Sequence, residues 1–291
     1  MKNITVFANF FINDKERYLR TIDSFKSFEK ANIEKWIINT RGKYSDNIKN
    51  YLKKKIKHKL IFSNLDSGNW FEDTKKLVKY IDTKLVFLWT EDHINIKGHN
   101  YFDNIVKDMI KNNLDYLEYS WFFNGIKLRS YKNYPYRETR NLIYLSYDSK
   151  ILKKRLKFYH NKSSQKLFDY IISHQSIQKK NLFLKLIYKN KFGFFKKHVP
   201  FSLEKNKRFK SWLPYKIGVV KKEFFVSIDD DAHCKNYCLI NRGIYPDRLT
   251  ANEKKEIKNK RQNDLSRYNI YGFLYYSKII ERIKNLFRFF S

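Results

Sequence analysis

Residues 84–93 read KLVFLWTEDH, an apolar run that ends abruptly in two adjacent carboxylates, Glu91 and Asp92. Leu85, Val86, Phe87, Leu88 and Trp89 leave no polar face, so both faces of this strand must be covered. That is the pattern of a parallel sheet with helices on each side, and such sheets bind ligands at the carboxyl ends of their strands. Two acids at that point suit a divalent cation held against a phosphorylated substrate, because hard cations take oxygen ligands. The plainer alternative is a strand that ends in a solvated acidic turn. The neighbouring segments bear on the choice.

The same unit recurs on both sides. Ile4–Phe11 reads as a buried strand, and Asp14 is placed to cap a helix in which Tyr18, Ile22, Phe25 and Phe28 fall at helical spacing. Trp36–Asn39 is a second strand, closed by Arg41-Gly42 and followed by a short basic helix over Asp46–Ile56. Lys59–Asn64 is a third, and the turn Asp66-Ser67-Gly68-Asn69 leads into a helix from Trp70 to Ile81. Lys84–Trp89 is the fourth, and a helix over Tyr101–Asn112 leads to a fifth at Leu114–Trp121. Strands alternating with helices make βαβ units. The predicted class is therefore α/β: a mostly parallel, Rossmann-like sheet with helices on both faces, plus a C-terminal helical region. There is no GxGxxG and no GxxxxGK[ST], which excludes a dinucleotide fingerprint and a P-loop.

Composition narrows the partners. The 291 residues are 42% hydrophobic and 18% aromatic, enough for a sizeable core. Lys and Arg number 61 against 29 acids, a net charge of +32 that calls for an anionic partner: nucleic acid, an anionic membrane or a phosphorylated substrate. Part of that excess follows from an AT-rich coding bias, since Lys, Asn, Ile, Phe and Tyr rise together. Lys, which predominates over Arg, is also the weaker bidentate reader of phosphates and bases. Two cysteines, Cys234 and Cys238, exclude a disulfide framework and suit a reducing compartment. The opening MKNITVFANFF runs directly into a patterned strand without a small-residue cleavage site, so no signal peptide is expected. No apolar stretch approaches the ~18 residues of a membrane span. HExxH and GxSxG motifs are absent.

Three segments in order carry a family resemblance: Tyr18-Leu19-Arg20-Thr21-Ile22-Asp23-Ser24-Phe25 in the first helix, Asn64-Leu65-Asp66-Ser67-Gly68-Asn69 before the third, and Thr90-Glu91-Asp92-His93 after the fourth strand. Over residues 4–121 the chain resembles the family 2-type bacterial glycosyltransferases of GT-A fold. The resemblance implies transfer of a sugar from a nucleotide-sugar donor to an acceptor hydroxyl, with Mg²⁺ or Mn²⁺ held by Asp92 together with Glu91. It implies donor contacts at Asn9, Thr40, Arg41 and Asp66, with Arg41, Arg17 or Lys15 as cations beside the diphosphate. For an inverting enzyme the acceptor base is assigned to Asp169 in SSQKLFDYIISHQ, with Asp148 and Glu138 open. Two departures stand out. The turn Asn39-Thr40-Arg41-Gly42 lacks the acid that the family places after its second strand, and the metal motif is Glu-Asp where the family has Asp-x-Asp.

A second acidic run competes with the first. Lys222–His233 reads KEFFVSIDDDAH, and its Asp229, Asp230 and Asp231 match an Asp-x-Asp motif better. It comes after the βα units that should carry the donor, so it is assigned with His233, Asn241 and Arg242 to the acceptor side. At the C-terminus, Phe273, Tyr276, Ile280, Ile283, Phe287 and Phe290 form one helical stripe, with Lys278, Glu281, Asn285 and Arg288 opposite. That pattern fits a helix lying in an anionic membrane interface, or a terminal helix docked on the core.

The expected organisation is a nucleotide-sugar-binding region over 1–122, an acceptor-side region over 123–250 and a basic, aromatic tail over 251–291. The expected partners are the donor, a surface-glycan or lipid-linked acceptor, and an anionic membrane through the tail, with no specific nucleic acid. The expected location is cytoplasmic, peripheral to the inner membrane. Rival readings are a basic nucleic-acid-binding protein or nuclease, and a catalytically inactive GT-A-like scaffold.

Overall fold

A computed structural model describes residues 3–118, 135–146, 175–188, 216–229, 238–256 and 259. Four parallel strands form one half of its sheet: β1 (Ile4–Phe11), β2 (Lys35–Arg41), β3 (Leu60–Ser63) and β4 (Leu85–Leu88), in the order β3-β2-β1-β4. The other half combines β6 (Tyr116–Glu118), β7 (Tyr136–Glu138), β8 (Leu142–Ser146), β9 (Ser176–Lys179) and β10 (Lys216–Val220). The full order is β3-β2-β1-β4-β9-β6-β10-β8-β7. β8 and β9 run against the rest, and β9 lies between β4 and β6. A separate two-stranded sheet pairs β5 (His93–Asn95) with β11 (Phe225–Ser227). This is the mostly parallel α/β sheet with helices on both faces that the sequence predicts.

Helices cover both faces, as the apolar strands require. α1 (Lys15–Phe28), α2 (Ser45–Lys55) and α4 (His99–Lys111) pack on one face. α3 (Trp70–Leu77) and α5 (Lys180–Tyr188) pack on the other. α1 starts where Asp14 accepts the backbone N–H of Arg17 at 2.8 Å, and α3 where the Asn69 side chain accepts those of Phe71 and Glu72. The alternation of strand side chains then sorts the residues. Val6, Ala8 and Phe10 join Ile38 and Phe87 under α1 and α4, while Phe7, Ile37 and Val86 face α3 and α5. Aromatic rings dominate the first core: Phe28 meets Trp89 edge-on at 5.3 Å and stacks on Trp36 at 5.6 Å. The Trp89 indole N–H, buried with the ring, donates to Ser24 Oγ at 2.9 Å.

The predicted elements fall within a few residues of their expected bounds. Strands at 142–146, 176–179 and 216–220 extend the same sheet beyond residue 122, so the first four strands and the later region share one sheet. Residues 251–256 are helical, and the amphipathic stripe from Phe273 to Phe290 lies outside the described residues. No helix among the described residues is long and apolar enough to cross a membrane.

Candidate active site

The carboxyl ends of β1, β2 and β4 and the first turn of α3 enclose a cleft of about 210 Å³. Asn9, Phe11, Arg17, Arg41, Trp70, Thr90 and Glu91 line it. This is the sheet edge where ligands bind in open α/β folds. Its charged groups are fixed from several elements. Arg17, on the first turn of α1, donates through Nη1 to the Phe11 carbonyl at 2.9 Å, and its Nε lies 3.3 Å from Glu91 Oε1. Arg41, at the end of β2, is held 3.5 Å from the fully buried Asp73 and 3.6 Å from Asp66. Its Nε–H is buried and meets no hydrogen-bond partner among the described residues. A buried guanidinium donor without a partner is costly, and a bound anion at this spot would satisfy it.

The acidic pair divides its roles. Glu91 lines the cleft and pairs with Arg17, whereas the Asp92 side chain is 46% exposed at the rim. Asp92 Oδ1 meets His93 Nδ1 at 2.6 Å, and Thr90 Oγ1 lies 3.1 Å from the same nitrogen. Thr90 Oγ1 in turn donates to Gln175 Oε1 at 3.0 Å. With the Thr90 proton committed to Gln175, Nδ1 of His93 is the natural donor to Asp92. The pair supplies hard carboxylate oxygens, which is how Mg²⁺ is commonly held, by one or two carboxylates plus substrate phosphates. No three His, Cys, Asp or Glu side chains among the described residues come together as a protein-only metal cage.

The two competing acidic runs converge. β11 pairs antiparallel with β5, Ser227 opposite His93, and the Ile228 N–H donates to the Asp92 carbonyl at 2.7 Å. Asp229 therefore emerges beside the Glu91-Asp92 turn. There it bonds Arg20, which also donates from Nε to Glu16 at 2.9 Å. Arg20 and Glu16 are almost fully buried on α1. Burial lowers the Arg20 pKa, but the charge of Asp229 and the bonds to Asp229 and Glu16 outweigh it and raise the pKa above the usual guanidinium value. The chain after β11 returns to the same helix: Tyr245 donates to Asp23 at 2.7 Å, and Arg248 reaches Asp23 at 2.8 Å and Glu16 at 3.7 Å. Burial and the bond to Asp23 push the Tyr245 hydroxyl above its ordinary pKa, so it stays a protonated donor.

Among the donor-side expectations, Arg41 lines the cleft and Asp66 stands beside it. Asn9 is there too, but its amide is committed to Trp70 O, Thr74 Oγ1 and Asn39. Asn9 therefore shapes the cleft and offers its ring of bonds to α3. Thr40 does not join the cleft. Strand alternation turns it to the α2 face, where its hydroxyl meets Ser45 Oγ at 2.8 Å. Arg242 pairs with Glu223 at 2.8 Å in an exposed turn. Glu138 is exposed on β7 and pairs with Lys221. Asp169, Asp148, Asp230, Asp231 and His233 lie outside the described residues. Sequence reasoning missed Gln175, Trp70 and the Glu16–Arg20–Asp229 group. The signal for the last was available: Glu16 and Arg20 sit four apart, next to the apolar positions of an amphipathic helix, where a solvated pair would not be expected.

No sequence-family model matches this chain, and no curated protein matches it. Among solved structures it is similar to S. aureus TarS, with a TM-score of 0.43 and 12% identity over 77% of this chain and 36% of that one. It is similar to the TarS 1–349 segment in complex with UDP-GlcNAc, with a TM-score of 0.44 and 11% identity over 80% of this chain and 60% of that one. A third likeness is to 4-diphosphocytidyl-2C-methyl-D-erythritolsynthase from Anaerococcus prevotii, with a TM-score of 0.40 and 14% identity over 75% of this chain and 86% of that one. The chain thus spans about a third of the length of TarS and about three-fifths of its 1–349 segment.

Proposed function

We propose that this chain is a glycosyltransferase that moves a sugar from a nucleotide-sugar to a hydroxyl of a surface-glycan or lipid-linked acceptor, with inversion. The observation that carries the proposal is the meeting of two guanidiniums and Glu91 in one cleft at the carboxyl edge of parallel strands, with Asp92 exposed next to it in sequence. A donor diphosphate needs that combination. Arg41, with its unmatched Nε–H, and Arg17 would bind the phosphate oxygens and orient the donor. Asp92, steadied by His93, and Glu91 would hold a Mg²⁺ or Mn²⁺ that neutralises charge on the leaving diphosphate. In the transfer step the acceptor oxygen forms a bond to the sugar anomeric carbon as the bond from that carbon to the phosphate oxygen breaks. The diphosphate leaves with the electron pair, and the acceptor proton passes to a carboxylate, for which Asp169 is our candidate.

A panel of nucleotide-sugars, assayed for binding and slow hydrolysis with and without Mn²⁺, tests this reading. Saturable binding of one donor and metal-stimulated release of its nucleotide are expected. If no donor binds and no nucleotide is released, the enzyme reading fails and the inactive-scaffold reading takes its place. We also propose that the enzyme works at the cytoplasmic face of a membrane through its tail. Deletion of residues 268–291 should then release it from anionic vesicles while nucleotide-sugar binding persists.

A further inference from the structure

Opposite the cleft, at the other edge of the sheet, the structure carries a row of lysines. The register places them strand by strand. Lys59 precedes β3, Lys35 begins β2, Lys84 precedes β4, Lys180 follows β9 and Lys216 begins β10. Neighbouring strands are about 4.8 Å apart, so this row crosses roughly 30 Å. The last turn of α2 adds Lys53, Lys54 and Lys55, and Lys57 follows it, all four exposed. Asp82 offsets Lys35 at 2.8 Å and Asp115 offsets Lys179 at 2.6 Å. Lys59 and Lys84 are exposed and form no ion pair among the described residues. A recess of about 300 Å³ opens between Lys84, Lys179 and Lys180, beneath the end of α4. At the cleft edge three arginines are each held against a carboxylate, Arg17 on Glu91, Arg20 on Asp229 and Arg41 on Asp73, beside the exposed Lys15 and Lys43.

The geometry points to this edge as a docking face for an anionic phospholipid surface. Among the described residues its cations are lysines spread over a broad edge. That suits a smooth field of phosphate headgroups, which needs point charges, better than nucleic acid, whose readers rely on bidentate arginine and a groove-filling element. The recess lets a headgroup phosphate settle between Lys84 and Lys180. Docking here would point the cleft away from the lipid, toward an acceptor that extends into the cytoplasm. This docking is independent of the donor chemistry.

The test is co-sedimentation of the full chain with vesicles of phosphatidylcholine, with and without phosphatidylglycerol, at physiological salt. Lys54→Gln, Lys59→Gln, Lys84→Gln and Lys180→Gln are combined in one variant. Lys43→Gln, Lys97→Gln, Lys222→Gln and Lys255→Gln, exposed positions elsewhere, make a charge-matched control. At about fivefold per lysine, the edge variant should lose roughly 600-fold in partitioning to anionic vesicles, with the control far less affected. Since the tail is intact in both variants, unchanged binding by the edge variant overturns the proposal. An equal loss in the control overturns it too, by reducing the effect to net charge. Tighter binding to a random-sequence duplex than to vesicles at the same salt, lost in the edge variant, would reassign the face to nucleic acid.

Discussion

At the scale of single residues, Glu91 and Asp92 are neighbours with different surroundings, and that difference is testable. Glu91 is locked to Arg17 inside the cleft, while Asp92 sits at the rim with His93. Asp92→Ala should cut turnover by about a hundredfold or more and raise the Mn²⁺ concentration needed for half-maximal activity, with the folded state intact. Near-wild-type turnover would remove Asp92 from the metal role. Glu91→Ala frees Arg17 and should weaken donor binding more than it shifts the metal requirement; titration calorimetry separates the two. Arg20 offers a stability test. Its loss leaves Glu16 buried without its main partner, so Arg20→Met should cost about 3–5 kcal/mol, read from the denaturant midpoint. Adding Glu16→Leu should recover most of that loss, because the uncompensated charge goes with it.

Between residue and molecule stand the elements, and here the strand ends do the positioning. Gly42, at φ +92°, closes β2 against the exit of β1, and a Cβ there would come within 2.7 Å of the Ile12 carbonyl. Tyr44 N–H donates to that same carbonyl at 3.0 Å, so the contact cannot relax outward without losing the turn that follows Arg41. Gly42→Ala should therefore destabilise by about 1–3 kcal/mol and, by shifting Arg41, weaken donor binding; thermal melting and calorimetry read the two effects. The elements also show what was legible in advance. β1, β2 and β4 announced themselves through the apolar runs Val6–Ala8, Trp36–Ile38 and Leu85–Leu88, because strands buried on both faces carry apolar side chains at successive positions. β9 could not, because three of its four residues, Ser176, Gln178 and Lys179, are polar. Gln178 is fully buried: its Nε2 donates to Ser176 within the strand at 2.9 Å, while its Oε1 meets no hydrogen-bond partner among the described residues, so a polar side chain sits where the sequence pattern would call for an apolar one. Likewise, each acidic run was visible alone. Their convergence depends on β5 pairing with β11, a contact between distant segments that no local pattern encodes.

For the whole molecule, a net charge of +32 makes long-range attraction to any polyanion strong, and among the described residues Arg17, Arg20 and Arg41 are each paired with a carboxylate at one edge of the sheet while a row of lysines follows the other. Binding to DNA or RNA, where it occurs, should accordingly fall steeply with salt and be indifferent to sequence, and a site-specific complex at physiological salt would contradict this. The position of β9 bears on how the protein is made. The strand that carries Glu91 and Asp92 has an open edge until residues 176–179 arrive to fill the gap between β4 and β6. A ribosome that has delivered the first 122 residues has already exposed the four parallel strands β1–β4 together with β6, with two unpaired strand edges facing each other across a missing neighbour. Exposed edges of that kind invite pairing with other chains, and contacts this distant in sequence form slowly. A fragment ending at residue 122 should therefore accumulate as aggregate where the intact chain is soluble. In a cell the nascent chain would lean on chaperones for as long as it takes to synthesise the next 57 residues or so, from residue 122 to Lys179.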